Sequence, residues 1–260
     1  MTAAVHEPSP SVATTQPPGL VGAVHSWDLS TGTDGPGTRL VVFLAGCPLR
    51  CLYCQNPDTW HRHDGTPTQL AEMERLLDRY ARFLRLAGGG LTVSGGEPLL
   101  QAPFTSALFA AARERGLSTA LDTSGALGDR VGDELLDRTD LVLLDIKAYR
   151  PQVYRHLTGG SLAPTLALAE RLAARGTRVW LRYVLVPGIT DDVSDVAGLA
   201  ELAASYGNIE RVDVLPYHQL GREKYVAAGL PYPLDGTPTP SRALVERVRE
   251  QFRAAGLRAP

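Results

Sequence analysis

The sequence lacks any apolar run approaching the roughly 18 residues that a membrane-spanning helix needs. Its start, MTAAVHEPSPSVATTQPPG, has neither the basic residues nor the apolar stretch of a secretory signal, so a cytoplasmic location is expected. Excess charge is also missing: 26 Lys and Arg stand against 28 Asp and Glu, a formal net charge of −2. That balance disfavours a nucleic-acid footprint, and the absence of lysine-rich runs disfavours an anionic membrane surface. No self-similarity marks a solenoid. Cysteine is scarce, with three in 260 residues, an odd number that disulfides cannot use up.

What is present is ordinary for a globular chain, 44% hydrophobic and 21% charged, and long enough to bury a core without covalent staples. Residues 1–20 are rich in Pro, Ser, Thr and Ala and are expected to form a flexible tail, leaving 21–260 as one domain. Short apolar runs then recur at 39–45, 91–93, 117–121, 141–144, 179–186 and 211–215, with 22–27 as a further strand before them. Helical patterns lie between them at 70–86, 104–116, 163–176 and 195–207, the last three ending in a glycine suited to a C-cap. Strands alternating with helices predict βαβ units and a parallel sheet. The fold class is α/β, and six repeats predict a partial TIM-type (β/α)6 barrel, with a doubly wound open sheet as the alternative.

The three cysteines sit together as C-x3-C-x2-C, Cys47, Cys51 and Cys54 in GCPLRCLYCQN, on the loop after a predicted strand. Thiolates select zinc, Cu(I) or iron–sulfur clusters. A [4Fe–4S] cluster held by three cysteines keeps one iron open to a small-molecule ligand, which an electron carrier would normally close. The alternative is a Cys3His zinc site completed by His61 or His63, although zinc spacings usually pair cysteines at two distant places.

C-x3-C-x2-C with Tyr53 before its last cysteine resembles the hallmark of the radical S-adenosylmethionine (SAM) superfamily. From about Gly22 onward the chain resembles the glycyl-radical-enzyme activases, most closely those acting on pyruvate formate-lyase. The resemblance rests on DGPGTRLVVFLAGCPLRCLYCQNPDTW, GGGLTVSGGEPLLQ, LDTSG, DLVLLDIK, VWLRYVLVPGITDD and LPYHQLGREKY. Gln55 departs from it, since a histidine usually follows the last cysteine. The resemblance implies a [4Fe–4S] cluster on the cysteines with SAM chelating the open iron. Reductive cleavage of SAM then yields a 5′-deoxyadenosyl radical that abstracts a glycine Cα hydrogen from a partner enzyme. It also implies a reduced flavodoxin or similar electron donor, and a monomer is expected.

In such barrels the active site lies at the C-terminal ends of the strands. Cys47, the Ser94–Pro98 segment, Asp122, Asp145 and His218 all follow predicted strands and should meet there. Gly95, Gly96 and Glu97 belong to SGGEP, whose carbonyls the resemblance assigns to the SAM amino group; the alternative is a simple tight turn. Asp122, Thr123 and Asp145 present hard oxygens suited to a cation. The resemblance puts a monovalent cation there, whereas the plainer possibility is pairing of the aspartates with Lys147 or Arg182. Lys147 and Arg182 would balance the SAM carboxylate, unless Arg182 faces outward to solvent. His218 is expected near the SAM carboxylate or ribose, or as a structural histidine. Tyr53 and Asn56 are expected near adenine, with the core as the alternative for Tyr53. Asp34 is either a substrate-loop contact or an Asx-type turn. Two other functions stay open: a radical SAM enzyme acting on a small molecule or RNA, and a non-catalytic iron–sulfur or zinc module for electron transfer.

Overall fold

A computed structural model describes residues 19–260, so the expected tail falls almost wholly outside the described residues. The chain runs β1 (Val21–Thr31), β2 (Thr38–Leu44), β3 (Thr66–Gln69), α1 (Leu70–Leu86), β4 (Gly90–Gly95), α2 (Ala102–Glu114), β5 (Ser118–Thr123) and α3 (Asp133–Asp137). It continues with β6 (Leu141–Asp145), α4 (Pro151–Thr158), α5 (Ala163–Arg175), β7 (Arg178–Leu185), α6 (Val193–Tyr206), β8 (Ile209–Pro216), α7 (Arg222–Ala227) and α8 (Arg242–Ala254).

One sheet holds all eight strands in the order β3-β1-β2-β4-β5-β6-β7-β8. From β2 to β8 the six core strands are parallel, each beside its successor, while β1 and β3 join as antiparallel edge strands. A doubly wound sheet requires a point where strand order reverses. No reversal occurs among these strands, so the six-unit partial barrel stands. The 22–27 strand is real but longer than expected, and it runs against β2 rather than with it.

Alternation along the strands sorts side chains into two sets. Leu40, Val42, Leu44, Leu91, Val93, Leu121, Val142, Leu144, Leu181, Val212 and Val214 share the main core with apolar residues of the helices. The intervening positions face the concave side. There Ala120, Leu141 and Leu143 pack with Trp180 in a small separate cluster. Arg39 lies among them at 1% exposure, donating to Thr92 Oγ1 at 3.0 Å and Ser118 Oγ at 2.6 Å. Burial holds its pKa down at about 10, against the opposing pull of Asp140 and Asp34. Both faces are thus covered, and the parallel strands read as continuous apolar runs.

Helix ends follow their residues. Gly176 and Gly207 adopt left-handed conformations as C-caps of α5 and α6, and Asp192 caps the start of α6 by accepting from Ser194 N and Asp195 N. At the free side of β8, Val212 N donates to Arg258 O at 2.8 Å, so the chain's last residues lie against that strand. Among the described residues, no helix is long and apolar enough to cross a membrane.

Candidate active site

A cavity of about 440 Å³ opens at the C-terminal ends of the parallel strands. Its wall on one side is the loop after β2, carrying Cys47, Cys51 and Cys54; opposite lie the tips of β4 to β8.

The cysteine loop is fixed by its backbone. Gly46 N donates to Thr59 O at 2.7 Å and Cys47 N to Trp60 O at 3.0 Å, closing the loop's two ends on each other. Arg50 N reaches Thr158 O at 2.8 Å and Leu52 N reaches Leu157 O at 2.9 Å, fastening its middle to α4. Next to it passes the glycine pair of SGGEP. Gly95 has φ +118°, and a Cβ there would lie 2.2 Å from Leu44 N; one on Gly96 would lie 2.3 Å from Gly46 O. Only glycine permits that approach.

All three cysteines are free and half-buried. Burial is the main influence on each thiol, raising Cys47 to about 12 and Cys51 to about 11, and pushing Cys54 upward as well. Without a metal they are neutral at pH 7, so binding a cluster as thiolates must release protons. Two buried polar atoms beside them, Tyr53 Oη and Trp60 Nε1, have no hydrogen-bond partner in the chain, and Tyr225 Oη, which packs against Trp60, has none either. Unpaired buried polar groups are unusual, and three around one thiol cluster fit a group that brings its own acceptors. Among the described residues no three His, Cys, Asp or Glu side chains converge tightly enough to hold one ion. A four-iron cluster held at three corners does not require such convergence.

The strand tips are built differently. Arg182, in the middle of β7, points inward and pairs with Asp122 at 3.1 Å, with Asp34 4.0 Å away. Asp122 also accepts from Ser94 Oγ at 2.6 Å. Burial pushes the Asp122 carboxyl upward despite Arg182, while Asp122 in turn holds the guanidinium well above its ordinary value. Lys147 pairs with Asp145 at 3.1 Å and lies 5.5 Å over the Tyr53 ring. Burial works against the charge on Lys147, yet its neighbours, Asp145 foremost, keep its pKa raised. The plainer pairing of both aspartates with Lys147 and Arg182 is therefore what the geometry contains.

Most of the expected residues line the cavity: the three cysteines, Tyr53, Asn56, Gly95, Gly96, Asp122, Thr123, Asp145, Lys147, Arg182 and His218. Two do not. Glu97 is fully buried, accepting from Thr123 Oγ1 at 2.6 Å, Ser124 N at 3.0 Å, Leu99 N at 3.1 Å and also Ser124 Oγ. Its carboxylate is a knot between the ends of β4 and β5, which leaves only its backbone near the site. Asp34 is outside the lining and faces Arg182 from the β1–β2 turn, where its carbonyl accepts from Thr92 Oγ1. At the mouth, Gln55 Nε2 lies 2.8 Å from His218 Nε2. Asn56 Oδ1 accepts from Lys224 Nζ at 2.8 Å, tying α7 to the loop.

The cavity also takes Thr33, Leu49, Ser124, Val184, Leu215 and Tyr217. Val184 and Leu215 lie two residues beyond Arg182 and Asp213 on their strands, so the period of two could have found them once Arg182 was known to face inward. Thr33, on an irregular turn, carries no such signal.

A family model described as the Radical SAM superfamily matches residues 41–200. The chain is 42% identical over 232 residues to "Pyruvate formate-lyase 1-activating enzyme" of Escherichia coli (strain K12), covering 88% of this chain and 94% of that protein. It is also 42% identical over 243 residues to "Pyruvate formate-lyase-activating enzyme" of Staphylococcus epidermidis, covering 90% and 95%. Among solved structures, a domain of pyruvate-formate lyase-activating enzyme from Bacteroides vulgatus aligns with a TM-score of 0.56 at 25% identity, covering 66% of this chain and 98% of that one. With the cysteine loop and the charged strand tips already facing one cavity, these likenesses settle the family: the chain belongs to the radical SAM superfamily, within its pyruvate formate-lyase-activating enzymes.

Proposed function

We propose that this chain activates a glycyl radical enzyme, with pyruvate formate-lyase as the partner protein. The carrying observation is the opposition of the three cysteines to the paired charges of Asp122–Arg182 and Asp145–Lys147 across one cavity. When bound, a [4Fe–4S] cluster supplies the electron that cleaves SAM to methionine and a 5′-deoxyadenosyl radical, which takes the glycine Cα hydrogen.

The residues divide that work. Cys47, Cys51 and Cys54 hold the cluster, and the loop's backbone clamps keep them in place before it arrives. The carbonyls of the Gly95–Glu97 segment receive the SAM amino group, because the two glycines leave that backbone bare. Lys147 and Arg182 balance the SAM carboxylate; each is already held as a cation by an aspartate, so neither has to gain a proton when the ligand enters. A monovalent cation belongs beside Asp122 and Asp145, with Thr123 between them, although its hydroxyl is engaged by Glu97. Tyr53 and Asn56 flank the adenine, and His218 closes the mouth toward the ribose. Asp34 supports Arg182 from behind, which we favour over a substrate-loop contact. A reduced flavodoxin or similar protein delivers the electron to a monomer in the cytoplasm.

The test is electron paramagnetic resonance (EPR) of pyruvate formate-lyase after anaerobic incubation with the reconstituted chain, reductant and SAM. A SAM-dependent glycyl radical signal supports the assignment. Full SAM cleavage with no such signal would refute that partner and return the small-molecule reading.

A further inference from the structure

Arg39 sits near the start of β2, at the opposite end of the strand from the cysteine loop, and none of its hydrogen-bond partners lines the cavity. It is 1% exposed, and a pKa of about 10 leaves it a cation at pH 7. Among the described residues no carboxylate comes within ion-pairing distance of it. Its bonds go to neutral oxygens instead: Nε to Thr92 Oγ1 at 3.0 Å, Nη1 to Ser118 Oγ at 2.6 Å, and Nη2 to Ser118 O at 3.2 Å and to Leu91 O. A charge is costly to bury without a counter-ion, so its retention here calls for a reason beyond packing. Thr92 supplies one. The Arg39 Nε–H occupies a lone pair of its hydroxyl, and the hydroxyl proton goes to Asp34 O at 2.7 Å. Thr92 is fully buried, so bulk water does not compete for that bond. Asp34 lies in the 32–37 turn between β1 and β2, which has three glycines at positive φ and little to hold it. Among the described residues the turn's only other hydrogen bond is Gly32 N to Gly37 O at 3.2 Å, at its neck. The turn folds over the guanidinium so closely that a Cβ on Gly35 would lie 3.3 Å from Arg39 Nε. It brings Thr33 to the cavity wall and Asp34 to 4.0 Å from Arg182.

We propose that Arg39 and Thr92 are positioning residues for SAM binding: through the Thr92 hydroxyl they pin the β1–β2 turn, and so fix Thr33 on the cavity wall and the Asp34 carboxylate behind Arg182. The inference rests on the reading that this cavity receives SAM and that Arg182 balances its carboxylate. A hydroxyl that accepts from a guanidinium is polarised and donates more strongly onward, so the buried charge tightens the hold on Asp34 O. At 4.0 Å Asp34 influences Arg182 without taking over the bond that Asp122 makes at 3.1 Å. A freed turn loses that spacing. If Asp34 closes on Arg182 it draws the guanidinium from the ligand, and if it withdraws the guanidinium is less firmly placed. Either movement weakens SAM binding.

Thr92→Val and Thr92→Ser test this together, because Val keeps the side chain's shape and loses the hydroxyl, while Ser keeps the hydroxyl and loses the methyl. Wild type and variants are reconstituted anaerobically, compared for iron and sulfide content, and titrated with SAM by calorimetry. The expected result is equal cluster content, SAM binding weakened about tenfold in the Val variant, and about twofold or less in the Ser variant. A purely packing role for Thr92 gives the reverse order, with Ser the weaker binder, and overturns the proposal. Equal binding by wild type and Val overturns it too. Should the Val variant fail to fold or load, Thr92→Cys replaces it, since Cys is close to Ser in size but its thiol is a weak donor. Weaker SAM binding by Cys than by Ser then supports the pin, and equal binding overturns it. A wild type that loads a cluster but binds no SAM would overturn the functional reading and this inference with it, whereas the variant comparisons overturn the inference alone.

Discussion

The two walls of the cavity differ in how complete they are without a ligand. At the strand tips every charged group has found a partner within the chain: Asp122 with Arg182 and Ser94, Asp145 with Lys147, and Glu97 with four donors. On the cysteine loop the backbone is equally well satisfied, but the side chains are not. Three thiols stay protonated, and the polar atoms of Tyr53 and Trp60 go unpaired. One wall is therefore preorganised, as an electrostatic site should be to act without rearrangement. The other is a frame finished by its cofactor. Damage to the first should register in the apo protein, and damage to the second only after loading.

The largest expected effect is a sharp split. Cys51→Ala should reduce bound iron after reconstitution to background, while the apo melting temperature stays within a few degrees of wild type, since no side-chain bond is lost. A large fall in apo stability would mean that the thiols already serve the fold. Glu97→Gln should behave in the opposite manner. An amide cannot accept from four donors, so the apo protein should lose about 3 kcal/mol in urea denaturation, by the usual cost of stranding buried polar groups. Unchanged stability would remove Glu97 from the strand-tip frame. Arg182→Met leaves Asp122 buried without its cation and takes one charge from the SAM carboxylate. Calorimetry on the loaded protein should show SAM binding weakened about tenfold, equal to about 1.4 kcal/mol. Gln55→His should change least, within about 0.5 kcal/mol in stability, because the pair with His218 sits at the exposed mouth.

Legibility in the sequence followed the same division of physics. The six parallel strands were readable because burial on both faces makes them short apolar runs, and the cysteine loop because its spacing is local. β3, with the sequence TPTQ, was not: it is an exposed edge strand whose only reason to exist is pairing with β1. α8 was readable in principle, since Val245, Val248 and Phe252 recur at helical spacing on its buried face. Arg182 illustrates the limit of pattern alone. Alternation leaves its direction undecided until the register with β6, which sets it opposite Asp145, assigns its face. The resemblance assigns Glu97 only a backbone role with the rest of SGGEP; that its carboxylate ties the ends of β4 and β5 together shows only in its burial and hydrogen bonds. Trp60 was invisible for a related reason: whether an indole N–H has a partner depends on packing between segments far apart in the chain.

The most direct test of the two-wall account is production of 5′-deoxyadenosine by anaerobically reconstituted, dithionite-reduced protein given SAM, with Cys54→Ala beside it. The account predicts cluster-dependent product from wild type and none from the variant. Product from both, or a full cluster in wild type that yields none, would contradict the claim that the cysteine loop and the charged strand tips form one radical-generating site.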